Sequence, residues 1–431
     1  MYDLAIIGSG WAGVNAALKA KELGLNPVII EKSNLGGACL NQGCIPTKSL
    51  IQSAKIYTLA QKSSAFGIDN SGVLSVNLPQ IQARKEKIIR QLRQGLEFML
   101  KGVKIIYAPA EFISVDTLKA GSDEIQAKAI LIASGSVPLE LKSLKFDNNK
   151  VVSSNEILNL KELPASILII GAGVIGCEFA SLFSNLGVRV KLVELTPQVL
   201  PEYDLDVANR IKGLLEKKGV EINTSTNAAD INLQNFDLVL VCIGRIPMTA
   251  GLGVEKVGVI LEGGRIKVDQ YLKTNIPNIY AAGDCIGQAM LAHYAAYQGK
   301  CLAVNLASAN ELKKAVSSNI PSCVFTDPEI ASTGLSEEGA RKAGFEVKIY
   351  KRDFISSGMA KILSETDGFM KIISDKKSGK LLGSSIVGPR ATELISILVL
   401  AIDNNLTVNQ LRGKIFPHPT LSELITETLM G

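Results

Sequence analysis

The chain has 431 residues, 47% of them hydrophobic and 20% charged, the balance of a globular protein with room for roughly two to four domains. A net charge of +5, with no Lys- or Arg-rich run, leaves no footprint for nucleic acid. No apolar run approaches the ~20 residues of a membrane span, and "MYDLAIIGSG" enters a strand without a signal or transit segment, so the expected compartment is the cytoplasm.

The first stretch, "YDLAIIGSGWAGVNAALKAKELGLNPVIIEK", reads strand, tight turn, helix, strand. Gly8, Gly10 and Gly13 form GxGxxG after "LAII", helical periodicity runs from Val14 to Leu23, and "PVIIE" ends on Glu31. This is a dinucleotide-binding unit: the glycines permit the turn and close approach to a pyrophosphate, the helix N-terminus faces the phosphates, and Glu31 accepts from a ribose hydroxyl.

"GGACLNQGCIPTK" follows, with four residues between Cys39 and Cys44. A zinc site would need about four ligands, and the only two histidines lie far off in sequence. A structural disulfide suits an oxidising compartment, not the cytoplasm. A catalytic dithiol/disulfide is the favoured reading, with Pro46 placing Cys44 at a helix N-terminus, where thiolate is stabilised. The other five cysteines are scattered singly, as structural thiols are.

"ILIASGS" (130–136), with Ser134 and Gly135, is a Gly-containing turn after a β-type run. The dinucleotide pattern then returns in "SILIIGAGVIGCEFASLFSNLGVRVKLVE", with Gly171, Gly173, Gly176 and the strand-ending Glu194. Two such units imply two dinucleotides, or one cofactor and one substrate nucleotide; the usual pairing is a flavin with a nicotinamide dinucleotide. Glu194 welcomes a ribose hydroxyl and repels a 2′-phosphate, and no arginine lies just beyond it, so NAD is favoured over NADP. "LVCIGRIP" (240–247), with Gly244, and "NIYAAGDCIG" (278–287), with Asp284 at a strand end, are further turns. From about residue 321 the texture changes to strands with turn signals and one helix, "ATELISILVLAIDNNLTV", an α+β segment suited to subunit contact.

Near the end, "FPHPTLSE" holds His418 between Pro417 and Pro419, which restrict the backbone around a side chain that must be aimed. A histidine titrates near neutrality and can take a thiol proton. Glu423 has two readings: a capping box with Thr420 as N-cap and Glu423 at N3, or a partner that orients His418. The second is favoured, and one carboxylate is not expected to serve both well.

Assembled in this order, the pieces resemble the FAD-dependent pyridine nucleotide–disulfide oxidoreductases over nearly the whole chain, and within them the branch that oxidises dihydrolipoyl groups. "GGACLNQGCIPTK" is similar to the redox-disulfide signature, "IYAAGDCIGQAMLAHYA" to the second flavin-binding motif, and "HPTLSE" to the C-terminal catalytic motif. The resemblance implies an α/β fold with two Rossmann-like domains and a C-terminal α+β dimerisation domain. The FAD domain would comprise residues 1–143 and 261–316, the inserted NAD domain 144–260, and the interface domain 317–431. It also implies a homodimer whose active site is shared between subunits, with a lipoyl domain or lipoate-binding protein as substrate carrier. By the same resemblance Cys44 lies against the flavin, Cys39 exchanges with substrate, and Lys48 pairs with Glu178 beside the flavin. His418 is the base, drawn from the other subunit, its bond to Pro419 is cis, and Asp284 holds FAD. His293 lies near the isoalloxazine without a catalytic role. The chain departs from the family pattern at Met248 and Tyr297 and is shorter than typical members. The alternatives are a glutathione reductase-like enzyme, which Glu194 disfavours; a mercuric reductase-like one, which would want the C-terminal cysteine pair that "TETLMG" lacks; and a non-catalytic FAD-binding subunit, which retention of Cys39, Cys44, His418 and Glu423 disfavours.

Overall fold

A computed structural model describes residues 1–69, 72–308, 312–316 and 319–430. Among the described residues the strands form one seven-stranded sheet, two five-stranded sheets and two two-stranded ribbons. The first sheet grows from the apolar runs at the N-terminus. Tyr2–Ile7 lies parallel between Pro27–Glu31 and Asp123–Ile132, and Lys104–Tyr107 extends the sheet beyond Pro27–Glu31. Every residue of Pro27–Glu31 is buried, as an inner parallel strand covered on both faces requires. Helix Trp11–Glu22 covers one face and packs on helix Ala292–Ala307. Small buried residues, Ala12, Ala16 and Ala20 on one helix and Ala295 and Ala303 on the other, let the two helices approach closely.

The chain leaves this sheet, builds a second, and returns: Ile279–Ala281 pairs parallel with Asp123–Ile132. The second sheet, unlike the first with its antiparallel strands 110–112 and 117–120, is parallel throughout, in the order 221–223, 189–193, 166–170, 238–241, 151–152. Helices Val174–Asn185 and Leu205–Lys217 flank it. After residue 321 the expected change of texture becomes a five-stranded antiparallel sheet, in the order 322–324, 329–334, 381–388, 369–375, 347–353. Helix Ala391–Asp403 packs on its middle strands and helix Glu423–Met430 on Val347–Asp353 and Phe369–Asp375.

The parts share one apolar cluster. Leu50 and Ala54 of helix Cys44–Gln61, Phe179 and Phe183 of the second unit, and Val324, Ile330 and Phe369 of the C-terminal sheet meet in it. Charged contacts reinforce the joint. Lys371, 2% exposed, reaches Asp204 at 2.7 Å and Asp206 at 2.6 Å, and Lys218 reaches Asp327 at 2.7 Å. A buried lysine with two carboxylates is satisfied here; removing it would leave uncompensated charge, a loss of about 3–5 kcal/mol. This fixes the second unit and the C-terminal sheet around helix Cys44–Gln61, on which the redox residues sit.

Candidate active site

The two dinucleotide turns are built alike. Gly8 and Gly171 both stand at φ +100°, where a side chain would strain the turn and meet the carbonyl oxygen of Ala133 or Cys242. A Cβ at Gly13 would overlap the carbonyl oxygen of Gly8, and one at Gly176 that of Gly171, so helix and strand touch backbone to backbone. At Gly10 and Gly173 the opposite holds: an added Cβ meets nothing within 4 Å. That open space lies before the first turns of two 12-residue helices that carry no acidic residue and no side-chain cap there. Their unpaired amides suit a pyrophosphate, so the chain fits a dinucleotide at each turn.

The strand-end acids repeat too. Glu31 Oε2 accepts from the Ser9 amide at 2.8 Å, and Oε1 from the Ser33 amide at 2.8 Å. Glu194 does the same with the amides of Ala172 at 2.7 Å and Thr196 at 2.8 Å. Both acids are thereby held at the turn with their orientation fixed.

Cys39 lies on the short helix Gly37–Gln42, and Cys44 opens helix Cys44–Gln61. Both are free thiols, so this is the dithiol form of the expected redox pair. Cys39 donates to Cys44, which lowers the Cys44 pKa to about 7, against the cost of burial; the nearby Lys48 ammonium adds to the lowering. The same hydrogen bond, with burial, pushes the Cys39 thiol well up. One proton is thus kept on Cys39 while Cys44 is poised as thiolate at neutral pH.

One turn along the same helix, Lys48 Nζ meets both oxygens of Glu178, at 2.9 and 2.8 Å. Glu178 is 3% exposed and takes a third hydrogen bond at 2.9 Å from the amide of Phe325, whose ring lies 4.7 Å from Lys48 Nζ. The lysine and acid expected to pair do so, and the pair is anchored by the C-terminal sheet, which nothing in the sequence indicated.

The three isolated glycine turns converge. Ser136–Pro138 and Arg245–Pro247 pair as an antiparallel ribbon. Arg245 Nε donates to Ser136 Oγ at 2.8 Å, and that hydroxyl donates to Asp284 at 2.5 Å. Ser134 Oγ and the Gly135 carbonyl in turn hold Met248 through its backbone, at 2.5 and 2.9 Å, beside Gly244 at φ +126°. Met248, one of the departures from the family pattern, is thus held by its main chain, and its sulfur accepts from Lys32 at 3.1 Å. His293 lies in the first turn of helix Ala292–Ala307 and bonds the Pro321 carbonyl at 2.8 Å; burial holds its pKa below the ordinary value.

His418 and Glu423 form a separate group. The imidazole is 81% exposed and its Nδ1 lies 2.9 Å from Glu423 Oε1. The bond to Pro419 is cis, as is Asp327–Pro328. Among the described residues neither His418 nor Glu423 pairs with Cys39, Cys44, Lys48 or Glu178. The capping-box reading needs correction. Helix Glu423–Met430 begins at Glu423, so this residue is not at N3, and the Thr420 hydroxyl donates to the Pro417 carbonyl at 2.8 Å instead of capping. The carboxylate nevertheless does serve two groups, because each has its own oxygen: Oε2 accepts from the Thr420 amide at 2.8 Å while Oε1 faces His418. The Thr420 amide, then His418, hold its pKa below the ordinary value.

Residues 2–299 match the description of the pyridine nucleotide-disulphide oxidoreductases, and residues 320–429 that of the dimerisation domain of the same family. The chain belongs to this family. A dihydrolipoyl dehydrogenase of Bacillus subtilis is 37% identical, covering 99% of this chain and 98% of the relative. One from Chlamydia trachomatis is also 37% identical, covering 100% and 96%. Among solved structures, LpdA from Mycobacterium tuberculosis superposes with a TM-score of 0.92 at 29% identity, covering 100% of this chain and 99% of that one. The HOCl-induced flavoprotein disulfide reductase RclA from Escherichia coli superposes at 0.89 with 28% identity, covering 100% and 99%. The expected α/β architecture with a C-terminal dimerisation domain is therefore the family's own. No helix among the described residues is long and apolar enough to cross a membrane.

Proposed function

We propose that the chain is an NAD-dependent dihydrolipoyl dehydrogenase that reoxidises protein-bound dihydrolipoyl groups through Cys39 and Cys44. The observation that carries this reading is the placing of Cys39 and Cys44 on two helices joined by Gly43, with the Lys48–Glu178 pair one turn along the helix that Cys44 opens. The full-length relatives named for this activity support it.

In the oxidised enzyme the cysteines form a disulfide. His418 takes the proton of one dihydrolipoyl thiol at Nε2, since Nδ1 is committed to Glu423. The new thiolate attacks Sγ of Cys39, the Cys39–Cys44 bond breaks, and Cys44 leaves as the stabilised thiolate. The second substrate thiol then attacks the substrate sulfur of the mixed disulfide, closing the lipoyl ring; Cys39 departs with the first proton from His418, which takes up the proton of the second thiol in its place. A dithiol is the product of these steps. FAD, when bound, would supply a two-electron acceptor for the dithiol and a hydride donor for NAD⁺. Gly8, Gly10, Gly13, Glu31, Ser134, Gly135 and Asp284 would hold FAD, and Gly171, Gly173, Gly176, Glu194 and Gly244 would serve the nicotinamide side. Lys48, fixed by Glu178, puts a cation where negative charge develops.

His418 is exposed and, among the described residues, pairs with neither cysteine of its own chain, which supports an active site completed by a second copy in a homodimer. The proposed division is an FAD domain of residues 1–143 and 261–316, an NAD domain of 144–260 and an interface domain of 317–431. The setting is the cytoplasm and the substrate carrier a lipoyl domain or lipoate-binding protein. The test is anaerobic titration of the purified yellow protein with dihydrolipoamide, then addition of NAD⁺ with NADH followed at its own absorbance. Bleaching followed by NADH formation is the expected result. Reduction by NADH with none by dihydrolipoamide would move the substrate to another disulfide, and reduction by neither would end the enzyme reading.

A further inference from the structure

We propose that Arg93 is a positioning residue for the redox pair, acting through Asn41; the proposal rests on the reading of Cys39 and Cys44 as that pair. Cys39 rides on helix Gly37–Gln42, six residues long and without a side-chain cap. So short a helix does not hold itself in water. Asn41, midway between the cysteines, braces it: its Nδ2 donates to the carbonyls of Leu35 at 2.9 Å and Gly37 at 2.8 Å. The remaining atom, Oδ1, accepts from Arg93 Nη2 at 2.6 Å. Arg93 belongs to the 22-residue helix Leu78–Met99, anchored through buried Leu78, Lys85 and Ile89. The brace thus ties the short helix to a long one.

Among the described residues Arg93 makes no ion pair, and its Nε is buried without a partner. Its hydrogen bond to Asn41 is therefore the contact that aims it, and a cation is directed at a neutral amide of the cysteine loop.

The chemical consequence follows from disulfide geometry. A sulfur–sulfur bond tolerates only a narrow range of Cα and Cβ placements. Cys44 is fixed at the start of a long helix, so Cys39 sets how often the pair is in register. Gly43, at φ −148° and ψ −113°, joins the two helices and offers no side chain to stiffen the joint. Fixing Asn41 keeps the effective concentration of one sulfur at the other high, and so favours the disulfide over the dithiol.

The experiment compares the holoenzyme with its Arg93→Met and Arg93→Lys variants in buffers of defined reduced to oxidised dithiothreitol ratio, with acid quenching, alkylation and mass counting of Cys39 and Cys44. Arg93→Met is expected to move the couple about tenfold toward the dithiol, about 30 mV for two electrons. Arg93→Lys, which keeps a cationic donor, is expected to recover much of the shift. FAD content, thermal midpoint and NADH-driven ferricyanide reduction stay at the unmodified values. A couple within twofold of the unmodified enzyme in Arg93→Met overturns the proposal. So does a shift accompanied by equal loss of flavin or thermal stability, which would make Arg93 a support of the fold. Dithiothreitol poises the pair whatever the natural substrate is, so failure of dihydrolipoamide to reduce the enzyme would sink the substrate reading and leave this measurement standing.

Discussion

The lowered Cys44 pKa has a cause that can be removed one atom at a time. Its largest contribution is the hydrogen bond from Cys39, ahead of the Lys48 ammonium. Cys39→Ala deletes the donor, whereas Cys39→Ser replaces it with a hydroxyl. A hydrogen bond to a charged group contributes about 1.5–3 kcal/mol when buried. Cys44 is partly open to solvent, so the lower end applies, close to one pH unit at about 1.4 kcal/mol per unit. The donor stabilises the anion, so its loss must raise the pKa. Cys44 is expected to titrate near 8 in Cys39→Ala and to stay near 7 in Cys39→Ser. At pH 7 the thiolate fraction then falls from about a half to about a tenth, and carboxamidomethylation of Cys44 by iodoacetamide slows about fivefold. Above pH 9.5 the two variants should react equally fast. Mass spectrometry resolves Cys44 from the buried thiols Cys177, Cys242, Cys285 and Cys301. Superimposable pH–rate curves for the two variants would refute the shared-proton account of the pair.

Two further perturbations test other parts of the site. Glu423→Gln keeps an acceptor for the Thr420 amide but removes the charge facing His418; dihydrolipoamide oxidation should fall about 10–100-fold, while thermal stability and NADH-driven ferricyanide reduction hold. Gly176→Ala forces a methyl into the Gly171 carbonyl and should lower stability by about 1–3 kcal/mol in urea unfolding. Gly173→Ala, facing open space, should leave stability intact and raise the NAD⁺ KM, so equal stability losses in these two variants would contradict the geometry.

The dinucleotide turns were legible because their determinants are local: three glycines, a helix and a strand-end acid lie within about thirty residues of one another and each has one physical reason. The cysteine pair was legible for the same cause. What escaped was contact across long sequence separation. Ser136, Arg245 and Asp284 sit in three turns that read separately as ordinary bends, yet one hydrogen-bonded chain joins them. Lys371 looks in sequence like any strand lysine, and only the approach of Asp204 and Asp206 makes its burial tolerable. Glu423 was misjudged for a different reason: a side chain was counted as one acceptor when its two oxygens point to two partners.

The likeness of the two turns has a consequence for selectivity. Ser9, Glu31 and Ser33 in one, and Ala172, Glu194 and Thr196 in the other, make the same amide-to-carboxylate bonds at nearly the same lengths. Two sockets cut to one standard cannot tell their plugs apart by the adenosine end, which both cofactors share. Discrimination must lie at the far end of each molecule, where one chain segment offers cysteines and a lysine and the other does not. Swapping the turns would therefore change little, whereas transplanting "CLNQGCIPTK" would move the identity of the site.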